Sequence, residues 1–397
     1  MSHFDLPAGY RFAAVASGIK KSGKLDMALI CADQPAQCVG VFTRNKVIAA
    51  PLLVTKPRIA TGHCQAILIN SGNANACTGS DGRQVAEATG KLVAEALSIP
   101  EELVAVASTG VIGVQMPLTP FESGVPQLVE TLAVDRASLV AEAIMTTDAF
   151  SKIASAQLDI QGHECCVLGL AKGAGMIHPN MATMLGFVLT DASVSADFLD
   201  STLRRAVKKS FNSITVDGDT STNDMVLLLA NGASEAPSIE PDTAEAAIFE
   251  KALERVLLDL AKMIVRDGEG ATKTVQIRVF GAIDEQAART AARSVATSSL
   301  VKTAFFGEDA NWGRIIAAVG YSGIEVDPER IDISFNQVPV AQNGLSTGPA
   351  FETEATDVLK LDEFCVNIDL HQGDAEASYY TSDLGYEYIK INADYRT

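Results

Sequence analysis

The sequence predicts a layered α/β protein. Short apolar runs of strand length alternate with longer segments whose apolar residues recur at helical spacing. Hydrophobic residues make up 47% of 397, enough for a sizeable core and two packed units. No run of about 18 or more apolar residues occurs, so a membrane-spanning helix is not expected. The first residues carry Asp5 where a signal peptide would have a basic start, so none is expected.

Residues 65–70 read as a short buried strand, stopped by Ser71-Gly72-Asn73. Beyond a small-residue turn, Val85, Ala88, Leu92, Ala96 and Ile99 recur at helical spacing until Pro100. Residues 103–107 are strand-like and are broken by Ser108-Thr109-Gly110. Two further apolar runs, 165–170 and 184–189, flank a glycine-rich segment, which places that segment at a strand end. Helices are expected at 196–209, 243–264 and 284–298, strands at 274–280 and 331–340, and a turn at Asn343-Gly344. A soft boundary near 280 separates a core, 1–280, from a C-terminal α/β unit, 281–397.

The 49 acidic residues outnumber the 31 basic ones, giving a formal net charge of -18. Such a surface makes nucleic acid and anionic membrane poor partners but does not exclude an anionic small substrate in a cleft. The seven cysteines lack CxxC spacing and read as mostly buried thiols of a reducing, cytoplasmic compartment. Five histidines show no HExxH or zinc-finger pattern, so no metal is expected. Asp217, Asp219 and Asp224 lack EF-hand spacing and suit a tight loop better than a cation. Gly18 to Lys24 matches GxxxxGK, yet Leu25 stands where a phosphate loop needs Ser or Thr, which favours a surface loop.

The segment 172–187, KGAGMIHPNMATMLGF, carries the chemistry. Gly173 and Gly175 permit tight backbone geometry, Pro179 restricts His178, and Ala182 puts the smallest chiral side chain before a hydroxyl. The Thr183 hydroxyl can attack the Ala182 carbonyl, giving an ester that water hydrolyses. The freed α-amine, with a reference pKa of roughly 7.7–8.0, would then serve as the base that activates the same hydroxyl. The alternative is that Thr183 simply begins a core strand.

This segment resembles the self-cleavage motif of the ornithine acetyltransferases, the glutamate N-acetyltransferases of arginine biosynthesis. Similarity continues, in order, through 108–113 (STGVIG), 146–148 (TTD), 217–224 (DGDTSTND), 266–273 (RDGEGATK), 307–314 (GEDANWGR), Asn392 and Thr397. The resemblance implies cleavage between Ala182 and Thr183 into chains 1–182 and 183–397, paired as an α2β2 heterotetramer. It implies a four-layer α-β-β-α sandwich of the self-processing, Ntn-like architecture, with a smaller C-terminal α/β unit. Thr109 and Gly110 resemble the family's oxyanion hole; Thr146, Lys172, Thr183, Glu269, Asn392 and Thr397 resemble its substrate contacts. Trp312 and Arg314 read as architectural.

The implied reaction moves acetyl from N2-acetyl-L-ornithine through Thr183 to L-glutamate, without metal or redox cofactor. Some members of the resembled family also accept acetyl-CoA as donor, and no motif here separates the two kinds. Two rivals stand beside this reading: a self-processing peptidase or amidase, in which water takes the acyl group, and a scaffold that never cleaves.

Overall fold

The computed structural model describes residues 4–178 and 184–394. The chain divides into two compact units. One runs to Asn212 and includes Asp219–Ile264; the other comprises Ser213–Gly218 and the chain from Val265 onward.

The first unit is built on an eight-stranded sheet. Its strands are β1 (Tyr10–Val15), β2 (Met27–Phe42), β3 (His63–Asn73), β4 (Val104–Val111), β5 (Lys152–Ile160), β6 (His163–Lys172) and β7 (Leu185–Thr190), together with β9 (Met225–Ala230). The order is β4-β3-β2-β9-β7-β6-β5, and β1 pairs with the first part of β2. Both faces are buried, as the alternation along β2 shows. Ala28 and Ile30 join one core with Ile67 and Phe187, while Met27 and Leu29 join another with Leu68, Val93 and Phe121. The second core holds residues of helices Gly79–Leu97 and Thr119–Glu130; the helix Ala137–Ala143 contributes to the first. At Gly169 of β6 the missing side chain admits Val256 and Leu260 of the helix Ala244–Arg266.

The second unit has a seven-stranded sheet formed by β8 (Ile214–Thr215), β10 (Thr274–Ala282), β11 (Asp332–Phe335), β12 (Val338–Gln342), β13 (Leu345–Ser346), β14 (Glu363–Asp369) and β15 (Ala375–Ser382). Val275, Ile277 and Val279 of β10 pack with Ala288, Ala291 and Val295 of the helix Glu285–Thr297. The intervening Gln276 and Arg278 bond Ser378 and Glu376 of β15.

The helices expected at 196–209 and 284–298 form as Ala196–Lys209 and Glu285–Thr297, the latter started by Asp284, which accepts the Ala287 N–H at 2.7 Å. The Asn343-Gly344 turn joins β12 and β13 with both φ positive, 50° and 73°. Three expectations need correction. β3 and β4 continue through their supposed stops, because Gly72 and Gly110 pair across the ladder and no side chain obstructs them. Residues 331–340 make two strands joined by a turn at Asn336, which has φ 50°. The boundary near 280 falls inside β10, which is paired on both sides with β14 and β15, and the division comes after Ile264.

All seven cysteines are free thiols, five of them buried. Among the described residues no helix is long and apolar enough to cross a membrane, and no group of three or more His, Cys, Asp or Glu is placed to hold a metal ion.

Candidate active site

Lys172 is the last residue of β6 and pairs across the antiparallel ladder with Leu185, the first residue of β7. Its side chain is only 10% exposed, which excludes a merely solvated charge. The ammonium donates to Thr146 Oγ1 at 2.9 Å, so two of the expected substrate contacts meet directly. Both are tied to Asp148. Its Oδ2 accepts from Thr146 N at 2.8 Å and lies 3.8 Å from Lys172 Nζ; its Oδ1 accepts from Lys152 Nζ at 2.8 Å and from Gly173 N at 2.6 Å. Burial alone would raise the Asp148 pKa, but the charges of Lys172 and Lys152 and these hydrogen bonds outweigh it and hold the carboxyl well below the usual carboxylate range.

Gly173 begins the segment with φ 153°, and Met176 follows with φ 57°, unusual for a residue with a side chain. Thr220 Oγ1 holds the His178 carbonyl at 3.1 Å. The cleavage residues Ala182 and Thr183 lie outside the described residues, as does Thr397.

Thr109 and Gly110 occupy the end of β4, paired with Ser71 and Gly72 of β3. A buried polar network fixes this end. Ser108 Oγ donates to Asn70 Oδ1 at 2.6 Å, and Asn223 Nδ2 donates to the carbonyls of Ser108 and Ala74 at 2.9 and 2.6 Å. Ser71 donates through its hydroxyl to the Ala143 carbonyl, three residues before Thr146. Lys20 Nζ reaches the same carbonyl at 3.3 Å, so β4, β3 and the approach to Thr146 are stitched together. The run 219–224 therefore includes a structural clamp, Asn223.

The loop with GxxxxGK spacing is closed around a carboxylate of its own chain. Asp26, fully buried, accepts from Ser17 N at 2.6 Å, Gly18 N at 3.1 Å and Lys20 N at 2.8 Å. These amides would otherwise form an anion-binding nest. Burial lowers the Lys20 pKa, with Lys24 and Lys172 acting in the same direction against Asp26 and Asp148.

In the second unit Asn392 Nδ2 donates to Glu269 Oε2 at 2.8 Å. Glu269 is half-buried and Asn392 exposed. Arg314 bonds the Leu300 carbonyl at 2.7 Å and Asn311 caps the helix Trp312–Gly320, in keeping with an architectural role.

In the sequence Asp148 and Asn223 fall in matched motifs without an assigned role, Lys20 falls in the stretch read as a surface loop, and Lys152 carries no motif. The available signal was Asp148 followed four residues later by a lysine at the start of an otherwise alternating apolar strand, which requires a buried partner.

A family model for the ArgJ family matches residues 11–397. This chain belongs to the ArgJ family. It is an arginine-biosynthesis acetyltransferase, as the sequence resemblance implied. The arginine biosynthesis bifunctional protein ArgJ of Syntrophotalea carbinolica is 62% identical over 389 residues, covering 98% of this chain and 99% of that protein. The ArgJ protein of Geobacter sulfurreducens is 53% identical over 389 residues, with the same coverage. Among solved structures, an ArgJ chain from Bacillus halodurans is 46% identical with a TM-score of 0.52, matching 54% of this chain and 100% of its own length.

Proposed function

We propose that the chain cuts itself between Ala182 and Thr183 and that Thr183 then carries acetyl from N2-acetyl-L-ornithine to L-glutamate. The observation that carries this reading is the pairing of Lys172 with Leu185, two residues beyond Thr183 in sequence. The strand register thereby brings the foot of the processing segment to the buried Lys172–Thr146 pair.

In the first half-reaction the Thr183 hydroxyl attacks the acetyl carbonyl and its own α-amine takes the proton. Thr109 and Gly110 stabilise the oxyanion; its collapse returns the proton to the leaving nitrogen, releases L-ornithine and leaves an acetyl ester. The neutral α-amine of L-glutamate attacks that ester, giving N-acetyl-L-glutamate and free enzyme. Lys172 pairs with the α-carboxylate that both amino acids share, and Thr146 orients it. Glu269, Asn392 and Thr397 complete substrate binding from the C-terminal part of the sequence.

The mature chains 1–182 and 183–397 form an α2β2 heterotetramer in the cytoplasm, with the four-layer α-β-β-α sandwich of the self-processing architecture. No metal or redox cofactor enters the scheme. The bifunctional designation of the relatives fits acetyl-CoA as a second donor; its phosphates would bind elsewhere than the 18–24 loop, whose amides Asp26 already occupies. Denaturing mass measurement combined with product analysis tests the reading. Two chains and N-acetyl-L-glutamate are expected; two chains with acetate and no transfer would make the protein a hydrolase, and one intact chain would exclude both.

A further inference from the structure

Two lysines compete for one buried carboxylate beside the processing segment. Asp148 is buried, with its side chain wholly inaccessible, and so is that of Lys152. Lys152 takes the close position, 2.8 Å from Oδ1, whereas Lys172 stands at 3.8 Å from Oδ2, beyond hydrogen-bond distance. Among the described residues Lys172 donates one hydrogen bond, to the neutral hydroxyl of Thr146. Within this group of three, one carboxylate faces two ammonium groups, which leaves an excess of positive charge. Lys172 is the more loosely held of the two lysines and the one with residual exposure.

The same carboxylate also holds two backbone amides. Thr146 N, on Oδ2, belongs to the bend that aims the Thr146 hydroxyl at Lys172; Gly173 N, on Oδ1, is the first amide after β6 and starts the segment that leads to the cleavage bond. The two oxygens of Asp148 thus address substrate binding and self-processing separately.

We propose that Asp148 is a positioning residue that couples the Lys172–Thr146 pair to the entry of the self-cleavage segment, and that Lys152 takes up its charge so that Lys172 remains available to a substrate carboxylate. The proposal rests on the processing and substrate reading above. An amide at position 148 offers one acceptor oxygen where the carboxylate offers two, so either Gly173 N–H or Thr146 N–H loses its partner. With Lys152 neutral, Asp148 draws in Lys172 and withdraws it from substrate.

The test uses the full chain in three variants: Asp148→Asn, Lys152→Met and the double variant, which leaves the net charge of the buried site unchanged. Timed cell-free synthesis with denaturing mass analysis reads self-cleavage. Steady-state kinetics compare N2-acetyl-L-ornithine with N-acetylputrescine, the same donor without its carboxylate.

Asp148→Asn is expected to slow cleavage by about tenfold or more, the effect of losing one charge-assisted hydrogen bond. Lys152→Met is expected to raise KM for N2-acetyl-L-ornithine by about tenfold, leaving N-acetylputrescine unchanged. The double variant is expected to recover that KM, since Lys172 has no carboxylate left to capture it; it reads the charge balance even if either single variant does not fold. Wild-type cleavage rates in Asp148→Asn, or a double variant whose KM for the carboxylate donor stays tenfold high, would overturn the proposal. Lys172→Ala separates the two levels. If it harms both donors equally, the carboxylate assignment itself fails; if it discriminates between them while Lys152→Met does not, the coupling alone fails.

Discussion

Gly110 of β4 lies directly beside Gly72 of β3, and the two backbones meet with no side chain between them. A Cβ at Gly110 would lie 2.5 Å from Asn73 N and nearer still to the Gly72 carbonyl carbon, and its φ of 132° is a conformation that residues with side chains rarely adopt. Any substitution must push the strand ends apart at the point assigned to the oxyanion.

Gly110→Ala is therefore expected to lower kcat by about a hundredfold or more, the scale of losing an oxyanion donor, with a smaller effect on KM. Steady-state kinetics on the mature enzyme check this. A variant with wild-type kcat would remove Gly110 from the oxyanion hole.

Asn223 is buried and its amide satisfies the carbonyls of Ser108 and Ala74. Asn223→Ala leaves both without that donor and is expected to destabilise the protein by about 1–3 kcal/mol. Chemical denaturation measures it; a change within a few tenths would show that neither bond matters to the β4 end.

Asp26 gathers three backbone amides of the 17–20 loop. Asp26→Ala strands those donors, and a loss of about 1–3 kcal/mol is expected, with no gain of phosphate binding while the loop is collapsed. Denaturation and phosphate titration calorimetry read the two outcomes.

These positions show how much the sequence disclosed. The helix 196–209 was legible because its apolar stripe and flanking residues agree, and long, ordered motifs singled out Lys172 and Thr146, which the structure brings together. The continuation of β3 and β4 was not, because Gly72 and Gly110 look like turn residues until their pairing is known. Asp148 escaped assignment because Lys172 and Gly173 lie at the far end of β6, and the four-residue spacing to Lys152 does not by itself reveal that both lysines meet one carboxylate.

Lys302 is expected to make stability pH-dependent. It is fully buried and donates to Thr381 Oγ1 at 2.9 Å, to Ser382 Oγ at 3.2 Å and to the Ser382 carbonyl. Burial pushes its pKa down to about 7, against the opposing charges of Asp383 and Asp217. An unfolded lysine holds its proton to about 10.4, so between these values the unfolded state binds more protons and unfolding free energy rises with pH. Below about 7 both states are protonated and this contribution is flat. The stability difference between wild type and Lys302→Met is expected to grow from neutral pH upward in denaturation series. A pH-independent difference would place the Lys302 pKa in its ordinary range.

In the proposed function Thr183 is both the product of cleavage and the carrier of acetyl. Rapid-quench denaturing mass spectrometry of the wild-type protein, given N2-acetyl-L-ornithine without glutamate, tests it most directly. Two chains are expected, 1–182 and 183–397, with one acetyl group on the second alone, discharged as N-acetyl-L-glutamate when glutamate is added, and a single unacetylated chain from Thr183→Ala. Fragments from Thr183→Ala, or an acetyl group that never appears on 183–397 while turnover requires both amino acids bound together, would contradict it.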